Sequence, residues 1–387
     1  MRARPSLRSW LILVVLAPLS VVAWRFGRGT LLHDGQAACV SRPAAPVPQR
    51  WAAAAARARA IACATLAPDI PGFAIAVAVD GRIVWSEAFG YADLEAKLPA
   101  TPATQFRIGS VSKPLTAAAV AQLVESGKLR LDAPVQRYVP TFPDKGAPIT
   151  TRLVAGHLAG IRHYRGDEFL LNRRFATVTE GLTVFQDDSL LFAPGTRYSY
   201  STYGWNLISA VVEGASGEEF LAYMSRHVFG PLGMTSTAPD KNDSLIPNRS
   251  RFYERRTRFA FALAPAVDNS VKWAGGGFLS TAEDLVRFGS AHLAPGFLKA
   301  ETLELLFTPQ RTATGEATGY GVGWRVARDT LGHRFVSHGG GSVGGTTAFG
   351  VDRDSRVVFA VVTNLGRVGL ADAQQIRALF DSVASAR

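Results

Sequence analysis

Residues 106–120 read FRIGSVSKPLTAAAV and combine a serine, a lysine three positions later and an apolar run of helix-forming residues. On a helix, Ser110 and Lys113 share one face with their Cβ atoms roughly 5–6 Å apart. Gly109 permits close backbone approach, and a helix N-terminus offers free N–H groups and the positive end of the dipole. The stretch predicts either a serine nucleophile with its proton acceptor, or a helix start that Ser110 or Ser112 caps.

The lysine decides between these two interpretations. A lysine with a reference pKa of about 10.4 must lose roughly three units before it serves as a base at neutral pH. Lys113 opposes the dipole in the first helical turn, and the apolar residues after it indicate that the helix enters a core. Catalysis therefore requires a buried Lys113 and a second acid or base group elsewhere in the chain.

Two further segments supply candidates for that group. Residues 194–207, PGTRYSYSTYGWNL, place Tyr200 just before a helical pattern, where it is either a proton relay, if neighbouring cations lower its pKa, or a packing aromatic. Residues 338–345, HGGGSVGG, place His338 before glycines that allow close approach and offer N–H donors. A glycine-rich turn without a function is the alternative for that segment.

The charge of the chain does not indicate nucleic-acid binding. The 387 residues carry a formal net charge of +11, but residues 1–60 hold nine arginines and one acidic residue. The remainder has 33 basic and 30 acidic residues and no basic run interleaved with aromatics. The excess of positive charge therefore belongs to the N-terminal segment.

That segment is typical of a targeting signal. Arginines flank the apolar run at 10–24, which as a helix spans about 22 Å, short of the roughly 30 Å hydrocarbon core of a bilayer. We expect residues 1–28 to be a cleaved signal peptide or a membrane anchor, followed by a Pro-rich linker at 29–50 and one domain at 51–387. The expected location is periplasmic or on the outer face of the inner membrane, or mitochondrial in a eukaryote.

The cysteines and histidines do not indicate a metal or another cofactor. Cys39 and Cys63 are the two cysteines, and an exported chain permits either a disulfide between them or two free thiols. The seven histidines form no HxxxH or HExxH pair. We therefore expect neither metal nor cofactor.

The pattern of elements predicts an α+β fold. A helix over 51–67 precedes two strands joined at Asp80-Gly81, and helices are expected at 112–127, 203–215 and 281–292. After Tyr320 the chain is rich in short strands, and a helical pattern closes it. We expect an antiparallel sheet built from N- and C-terminal strands, flanked by helices, with a largely helical second lobe and a ligand cleft between.

Together the three segments resemble the motifs of the penicillin-recognising serine hydrolases, which include class C β-lactamases, D-alanyl-D-alanine carboxypeptidases and related esterases. FRIGSVSK matches the S-x-x-K motif, Tyr200-Ser201-Thr202 the Y-x-N motif and His338-Gly339-Gly340 the K-T-G motif, which many relatives write H-x-G. The resemblance covers nearly all of 68–365. It is closest to the mitochondrial β-lactamase-like branch, through the YST, RHY and KWAGGGFLST stretches.

The resemblance implies roles for these residues. Ser110 is the nucleophile, Lys113 its proton partner, Tyr200 the general acid or base, and His338 stands in place of the third-motif lysine. Oxyanion and substrate contacts fall to the N–H groups of Ser110 and Gly341, with Gly340 and Thr202 beside them. Thr202 replaces the usual asparagine and offers fewer donors. No S-D-N motif is evident, so a glutamate-bound water is not expected.

The implied function is a serine hydrolase that forms an acyl-enzyme with a peptide, ester or lactam carbonyl. Peptidase, carboxypeptidase or esterase activity is the leading hypothesis. The alternatives are a true class C-like β-lactamase, and a catalytically silent homologue that binds peptides or acts as a scaffold. Expected partners are a peptide-like or small acyl substrate and further copies of the chain, with membrane attachment through residues 10–24.

Overall fold

The computed structural model describes residues 31–32, 39–257, 260–329 and 332–386. The expected signal or anchor at 1–28, with its apolar run at 10–24, lies outside the described residues. Among the helices that are described, none has both the length and the apolar character needed to cross a membrane.

Strands occur at both ends of the chain and are sparse in the middle. Their bounds are β1 Leu31–Leu32, β2 Ser41–Pro43, β3 Gly72–Val79, β4 Arg82–Asp93, β5 Leu98–Pro99, β6 Phe106–Arg107, β7 Ala238–Pro239, β8 Tyr253–Thr257, β9 Ala260–Leu263, β10 Phe278–Ser280, β11 Arg325–Arg328, β12 Arg334–Ser342, β13 Gly345–Asp352 and β14 Val357–Thr363.

The large sheet is antiparallel and joins the two ends of the chain. Its order is β11-β12-β13-β14-β3-β4-β2, with β5 paired to β4. The junction is the β14–β3 ladder, in which Ala360 pairs with Ala76, while β3 and β4 form the hairpin predicted at Asp80-Gly81. Small sheets β1-β9-β8 and β6-β10-β7 lie outside it. The predicted sheet of N- and C-terminal strands is confirmed.

Helices fill the middle of the chain and flank the sheet. Their bounds are α1 Ala52–Ile61, α2 Ser112–Glu125, α3 Thr151–Ala155, α4 Val178–Leu182, α5 Thr202–Ser216, α6 Phe220–Tyr223, α7 Trp273–Gly276, α8 Ala282–Ser290, α9 Ala300–Phe307 and α10 Asp372–Ser385. The predicted helices at 112–127, 203–215 and 281–292 correspond to α2, α5 and α8, with ends that differ by one or two residues.

The central strands separate two hydrophobic cores because their side chains alternate between the faces. In β3, Ala74 and Ala76 join the core shared with the helical lobe, whereas Phe73 and Ile75 join the core under α1 and α10. The side chains on the face toward the helical lobe are small, so α8 packs close to the sheet. At Gly289 of α8, an added Cβ would lie 2.5 Å from Val358 Cγ1 of β14. Helices on both faces explain why every residue of β3 is buried.

The segment expected to be a linker contributes to the folded domain. Residues 41–43 form strand β2, which pairs with β4 at the edge of the large sheet. Cys39 and Cys63 form a disulfide, which ties this strand to the end of the first helical segment. The alternative of two free thiols is therefore wrong, and ordered structure begins before Trp51.

Candidate active site

Ser110 lies in a tight turn that the glycine-rich strand β12 crosses. The turn is a 3₁₀ helix, Gly109–Val111, directly before α2. Gly109 has φ +51°, and a Cβ there would lie 2.6 Å from the carbonyl oxygen of Gly341. Only glycine suits this conformation and this contact. The predicted nucleophile and the third motif are therefore neighbours in space.

Gly340 of β12 also packs closely against the turn that holds Ser110. A Cβ on Gly340 would lie 1.9 Å from the carbonyl oxygen of Ile108, the residue before the turn. β11 pairs with β12 only as far as Ser337, so the end of β12 that holds Gly341 is left free on that side. Gly341 lines the cleft together with Ser110, and two backbone N–H groups in such a place suit an oxyanion.

Lys113 is fully buried in the first turn of α2 and has three polar neighbours. Its Nζ lies 2.6 Å from the carbonyl oxygen of Gly275, 3.2 Å from Thr202 Oγ1 and 3.1 Å from Ser110 Oγ. A neutral amine has two protons and one lone pair, so it can donate to Gly275 and Thr202 and accept from the Ser110 hydroxyl. An ammonium ion would instead donate to all three oxygens, so the contacts fit either protonation state.

The environment of Lys113 favours that neutral form. Desolvation on burial lowers its pKa well below the usual value. No carboxylate among the described residues forms an ion pair with it, and the centroid of the Tyr200 ring lies 4.8 Å from its Nζ. The burial required by the sequence analysis is therefore present.

The segment that carries Tyr200 is held by two neutral histidines and a helix cap. Ser201 is the N-cap of α5: its Oγ accepts from the N–H of Gly204, and its own N–H donates to His157 Nδ1. The N–H of Thr202 donates to His163 Nδ1. The ring of His157 also packs 4.3 Å from that of Tyr200. These contacts fix the Tyr200 side chain against Ser110.

Tyr200 has the opposite pKa shift from the one that its role as a base requires. Burial raises the pKa of its phenol, and the hydrogen-bonding contact with Ser110 only partly opposes this rise. Neighbouring cations do not lower this pKa overall, since desolvation outweighs the electrostatic effect of Arg325. A protonated phenol beside Ser110 is suited to donate a proton rather than to remove one.

Thr202 lines the cleft, but its hydroxyl faces Lys113 and Tyr164 as well as the cavity. It begins α5, and its methyl group packs on α7, where a Cβ on Gly275 would lie 2.6 Å from Thr202 Cγ2. The geometry thus gives Thr202 a part in holding Lys113, besides the substrate contact implied by the resemblance.

His338 is not among the residues that line the cleft. It is buried beside Tyr200, with ring centroids 6.3 Å apart. Its Nδ1 lies 2.6 Å from the carbonyl oxygen of Gly339, and its Nε2 lies 2.9 Å from the hydroxyl of Tyr320. Burial lowers the pKa of His338 to about 3, so the ring is neutral. The structure brings His338 close to the site, beside Tyr200, which does not line the cleft either.

One wall of the cleft is a loop that the sequence analysis did not assign to the site. His163, Tyr164 and Phe169 line the cavity. The loop is fixed by Arg162, whose guanidinium donates to both carboxylate oxygens of Glu168 at 2.6 and 2.9 Å. The available signal was the aromatic IRHY stretch, whose importance depends on a fold that brings it to Ser110.

Lys272 and Ser342 also line the cleft and were not predicted. Lys272 is 2% exposed at the end of the 3₁₀ turn before α7, and burial lowers its pKa to about 8. Its position in the apolar stretch VKWAGGGF was a usable signal, of the same kind as the one that singled out Lys113.

The potential metal ligands found in the described part of the chain form an ion-pair network. Asp329, His333 and Asp352 lie together at the opposite end of β12 from Gly341. Arg377 donates to Asp352 at 2.8 Å and to Asp329 at 3.1 Å. The positive charge of the Arg377 guanidinium between the carboxylates accounts for the cluster without a metal ion.

Comparisons with known proteins agree with this geometry. Residues 51–382 match the Beta-lactamase family. The chain is 34% identical to the human serine beta-lactamase-like protein LACTB, mitochondrial, over 80% of this chain and 76% of that protein. It is 30% identical to a D-aminopeptidase of Brucella anthropi, over 70% of this chain and 51% of that one. The octameric penicillin-binding protein homologue from Pyrococcus abyssi superposes with a TM-score of 0.69 at 26% identity, covering 82% of this chain and 74% of the other.

Proposed function

This chain belongs to the beta-lactamase family, and we propose that Ser110 is its nucleophile, Lys113 the base and Tyr200 the proton donor. The protein is a serine hydrolase that acts through an acyl-enzyme on a peptide, ester or lactam carbonyl. One observation carries the assignment of roles: the desolvated amine of Lys113 lies 3.1 Å from the hydroxyl of Ser110.

Acylation begins when Ser110 Oγ attacks the carbonyl carbon and passes its proton to the lone pair of Lys113. The carbonyl oxygen becomes an oxyanion, which the N–H groups of Ser110 and Gly341 stabilise. Gly275 and Thr202 hold the amine on the side of Ser110 throughout. The step therefore needs no ionised group in the resting cleft.

Departure of the leaving group needs a proton, and Tyr200 is suited to supply it. The phenol gives its proton to the leaving nitrogen or oxygen and regains one from Lys113, whose amine is thereby neutral again. Water then attacks the ester of Ser110, and the same groups carry its proton back to Ser110 Oγ. The high pKa of Tyr200 keeps the donor loaded at neutral pH.

Acyclic amides and esters are the proposed substrates, ahead of β-lactams. The D-aminopeptidase relative supports cleavage of an amide. An acyclic leaving group also diffuses away and admits water to the acyl-enzyme, whereas an opened lactam keeps its leaving amine attached beside the ester. We expect a β-lactam to acylate Ser110 and the resulting acyl-enzyme to be hydrolysed slowly.

The test follows hydrolysis and labelling of the same residue. A p-nitrophenyl ester, a peptide p-nitroanilide and a chromogenic β-lactam are each assayed with wild type, Ser110→Ala and Ser112→Ala. Intact-mass analysis and peptide mapping then locate the adduct of an activated fluorophosphonate. We expect labelling and hydrolysis to require Ser110 and to survive Ser112→Ala, because the Ser112 hydroxyl bonds only to backbone groups.

Retention of full hydrolysis by Ser110→Ala, or an adduct on another residue, overturns the proposed mechanism. Failure of both the fluorophosphonate and the β-lactam to acylate the protein favours the silent peptide-binding or scaffold homologue. Rapid turnover of the β-lactam identifies a true β-lactamase.

The same proposal includes a compartment and an assembly state. The Cys39–Cys63 disulfide supports an oxidising location, so we propose that residues 1–28 direct export or anchor the chain with the domain on the oxidising side. The name of the human relative supports a mitochondrial destination in a eukaryote. Subcellular fractionation of the source cells that finds the protein in the cytosol contradicts this. The octameric homologue supports self-assembly, which sedimentation velocity tests.

A further inference from the structure

His163 accepts a backbone hydrogen bond from the first residue of α5. Its Nδ1 lies 3.2 Å from the nitrogen of Thr202 and takes the N–H of that residue. A ring nitrogen that accepts a hydrogen bond carries no proton, so the neutral ring holds its proton on Nε2. Burial lowers the pKa of His163 to about 4, which keeps the ring uncharged at pH 7. The acceptor for the N–H of Thr202 is therefore neutral.

The start of α5 differs in this respect from the starts of helices that do not line the cleft. A helix N-terminus favours negative charge, since its free N–H groups form the positive end of the dipole. The first turn of α8 contains Glu283, and that of α4 contains Glu180. The first turn of α5 has no acidic residue, and the N–H groups at its start bind Ser201 Oγ and the Nδ1 atoms of His157 and His163. Uncharged acceptors stand here in place of carboxylates.

Thr202 connects His163 to the buried amine of Lys113. His163 holds the N–H of Thr202, and Thr202 Oγ1 lies 3.2 Å from Nζ of Lys113. Two hydrogen bonds and one residue separate the two side chains, so a unit charge at Nδ1 would act on the amine across roughly 6–9 Å. At an effective dielectric constant of about 20, a negative charge at that distance raises the pKa of an amine by roughly 1–2. A carboxylate in place of His163 would favour the ammonium form, which cannot accept a proton.

The acidic group that acts on His163 is balanced by a cation. This group is Glu168 on the same loop, and its carboxylate accepts from the guanidinium of Arg162 and from the N–H of Arg165. Within the described part of the chain, the other titratable side chains around His163 and Lys113 are neutral rings and one lysine across the cleft: Tyr164, Tyr200, His157, His338 and Lys272.

We propose that His163 is a positioning residue: its Nδ1 holds the N–H of Thr202 without bringing a negative charge to Lys113, which leaves the amine free to accept the proton of Ser110. The inference rests on the proposed function, because it concerns the base of the same reaction. His163 acts through its neighbours and takes no proton from the substrate. A protonated ring would lose the acceptor, whereas a carboxylate would keep the acceptor and hold the amine protonated.

Two variants of equal shape separate the hydrogen bond from the charge. In Asn and in Asp the Oδ1 atom is bonded to Cγ, as Nδ1 is in histidine, so His163→Asn and His163→Asp both offer an acceptor to Thr202. kcat/KM for a p-nitrophenyl ester is measured from pH 5 to pH 10, because its acid limb reports the pKa of the base in the free enzyme. His227→Asn and His227→Asp, at a histidine outside the cleft that contacts Glu218, are the matched control.

We expect the acid limb of His163→Asp to lie roughly 1–2 pH units above that of His163→Asn, with rates that converge at high pH. Below the limb the Asp variant should be slower by roughly 10- to 100-fold. The two His227 variants should share one limb. His163→Ala, which has no acceptor, should lower the rate at every pH without moving the limb. Nitrogen-15 NMR of wild type labelled at histidine, assigned with His163→Asn, should show the proton on Nε2 at pH 7.

A ratio of the Asp to the Asn rate that is constant across the pH range overturns the inference, as does a proton on Nδ1 of His163. The same shift in the His227 pair, or an unchanged rate in His163→Ala, also overturns it. Each of these results leaves the proposed function intact as long as Ser110 is labelled and required for hydrolysis. Absence of both labelling and hydrolysis in the wild type is the separate failure of the proposed function, and the inference falls with it.

Discussion

The buried charge of Lys272 should destabilise the folded protein in a manner that depends on pH. The folded-state pKa of about 8 lies below the usual 10.5. Between these values the unfolded chain binds the proton more readily, so stability rises with pH across this window and the penalty is fully present below it. From pH 7 to pH 10 this group alone should add roughly 2–3 kcal/mol to the free energy of unfolding of the wild type.

Lys272→Met removes that contribution and tests the reasoning. The variant loses the contacts with Phe169 and Tyr164 at either pH. Its free energy of unfolding relative to the wild type should nevertheless be roughly 2–3 kcal/mol higher at pH 7 than at pH 10. Urea denaturation at both pH values measures the difference, and Lys128→Met accounts for an ordinary surface lysine. Both cysteines of the sequence are in the disulfide, so no free thiol complicates the alkaline measurement.

The comparison between the two pH values isolates the charge, because the lost packing and the lost hydrogen bond contribute nearly equally at both. A mutational effect that is constant within about 0.5 kcal/mol would refute the reasoning, since it would mean that the lysine is no less easily protonated in the folded state.

Three other changes test the site and its scaffold. Tyr200→Phe should lower kcat by about 10²- to 10⁴-fold, because the leaving group loses its proton donor, while fluorophosphonate labelling persists; steady-state assays with an unchanged kcat would exclude this role. Gly340→Ala should cost about 1–3 kcal/mol or more, because its Cβ would lie 1.9 Å from a backbone oxygen, whereas Gly339→Ala meets nothing nearer than 3.9 Å; equal melting temperatures of the two variants would count against the crossing. Cys63→Ser removes a disulfide between residues 24 positions apart and should lower the free energy of unfolding, measured by urea denaturation, by about 3 kcal/mol. An unchanged free energy would mean that β2 is held by its pairing with β4 alone.

The fold was predictable from local patterns. The strand before Asp80-Gly81, the turn itself and the helix-forming run of α2 depend on neighbouring residues, and all three predicted elements are confirmed. The contribution of residues 41–43 to the sheet was not predictable, because three residues without alternation carry no strand signal and form one only where β4 offers a free edge.

The pKa shifts of the site residues depend on the fold. Some of them could be predicted from the sequence and others could not. Burial of Lys113 followed from the apolar residues after it on the same helix. The direction of the pKa shift of Tyr200 could not be anticipated, because the balance between desolvation and neighbouring cations is set by residues from distant segments. His338 was placed by its motif at the site, but the hydrogen bond between its ring and Tyr320 could be known only from the fold.

By itself the sequence determined the serine, the lysine three residues later and the helix that presents them, since these depend on chemistry within one turn. Tertiary structure alone decided which backbone carbonyl holds Lys113 and whether the phenol of Tyr200 keeps its proton. It also decided which lysine faces the cleft without a counter-ion. The physical reason is that the energy of a charge depends on everything within several ångströms of it, and in this protein the carbonyl that holds Lys113 is 162 residues away in the chain.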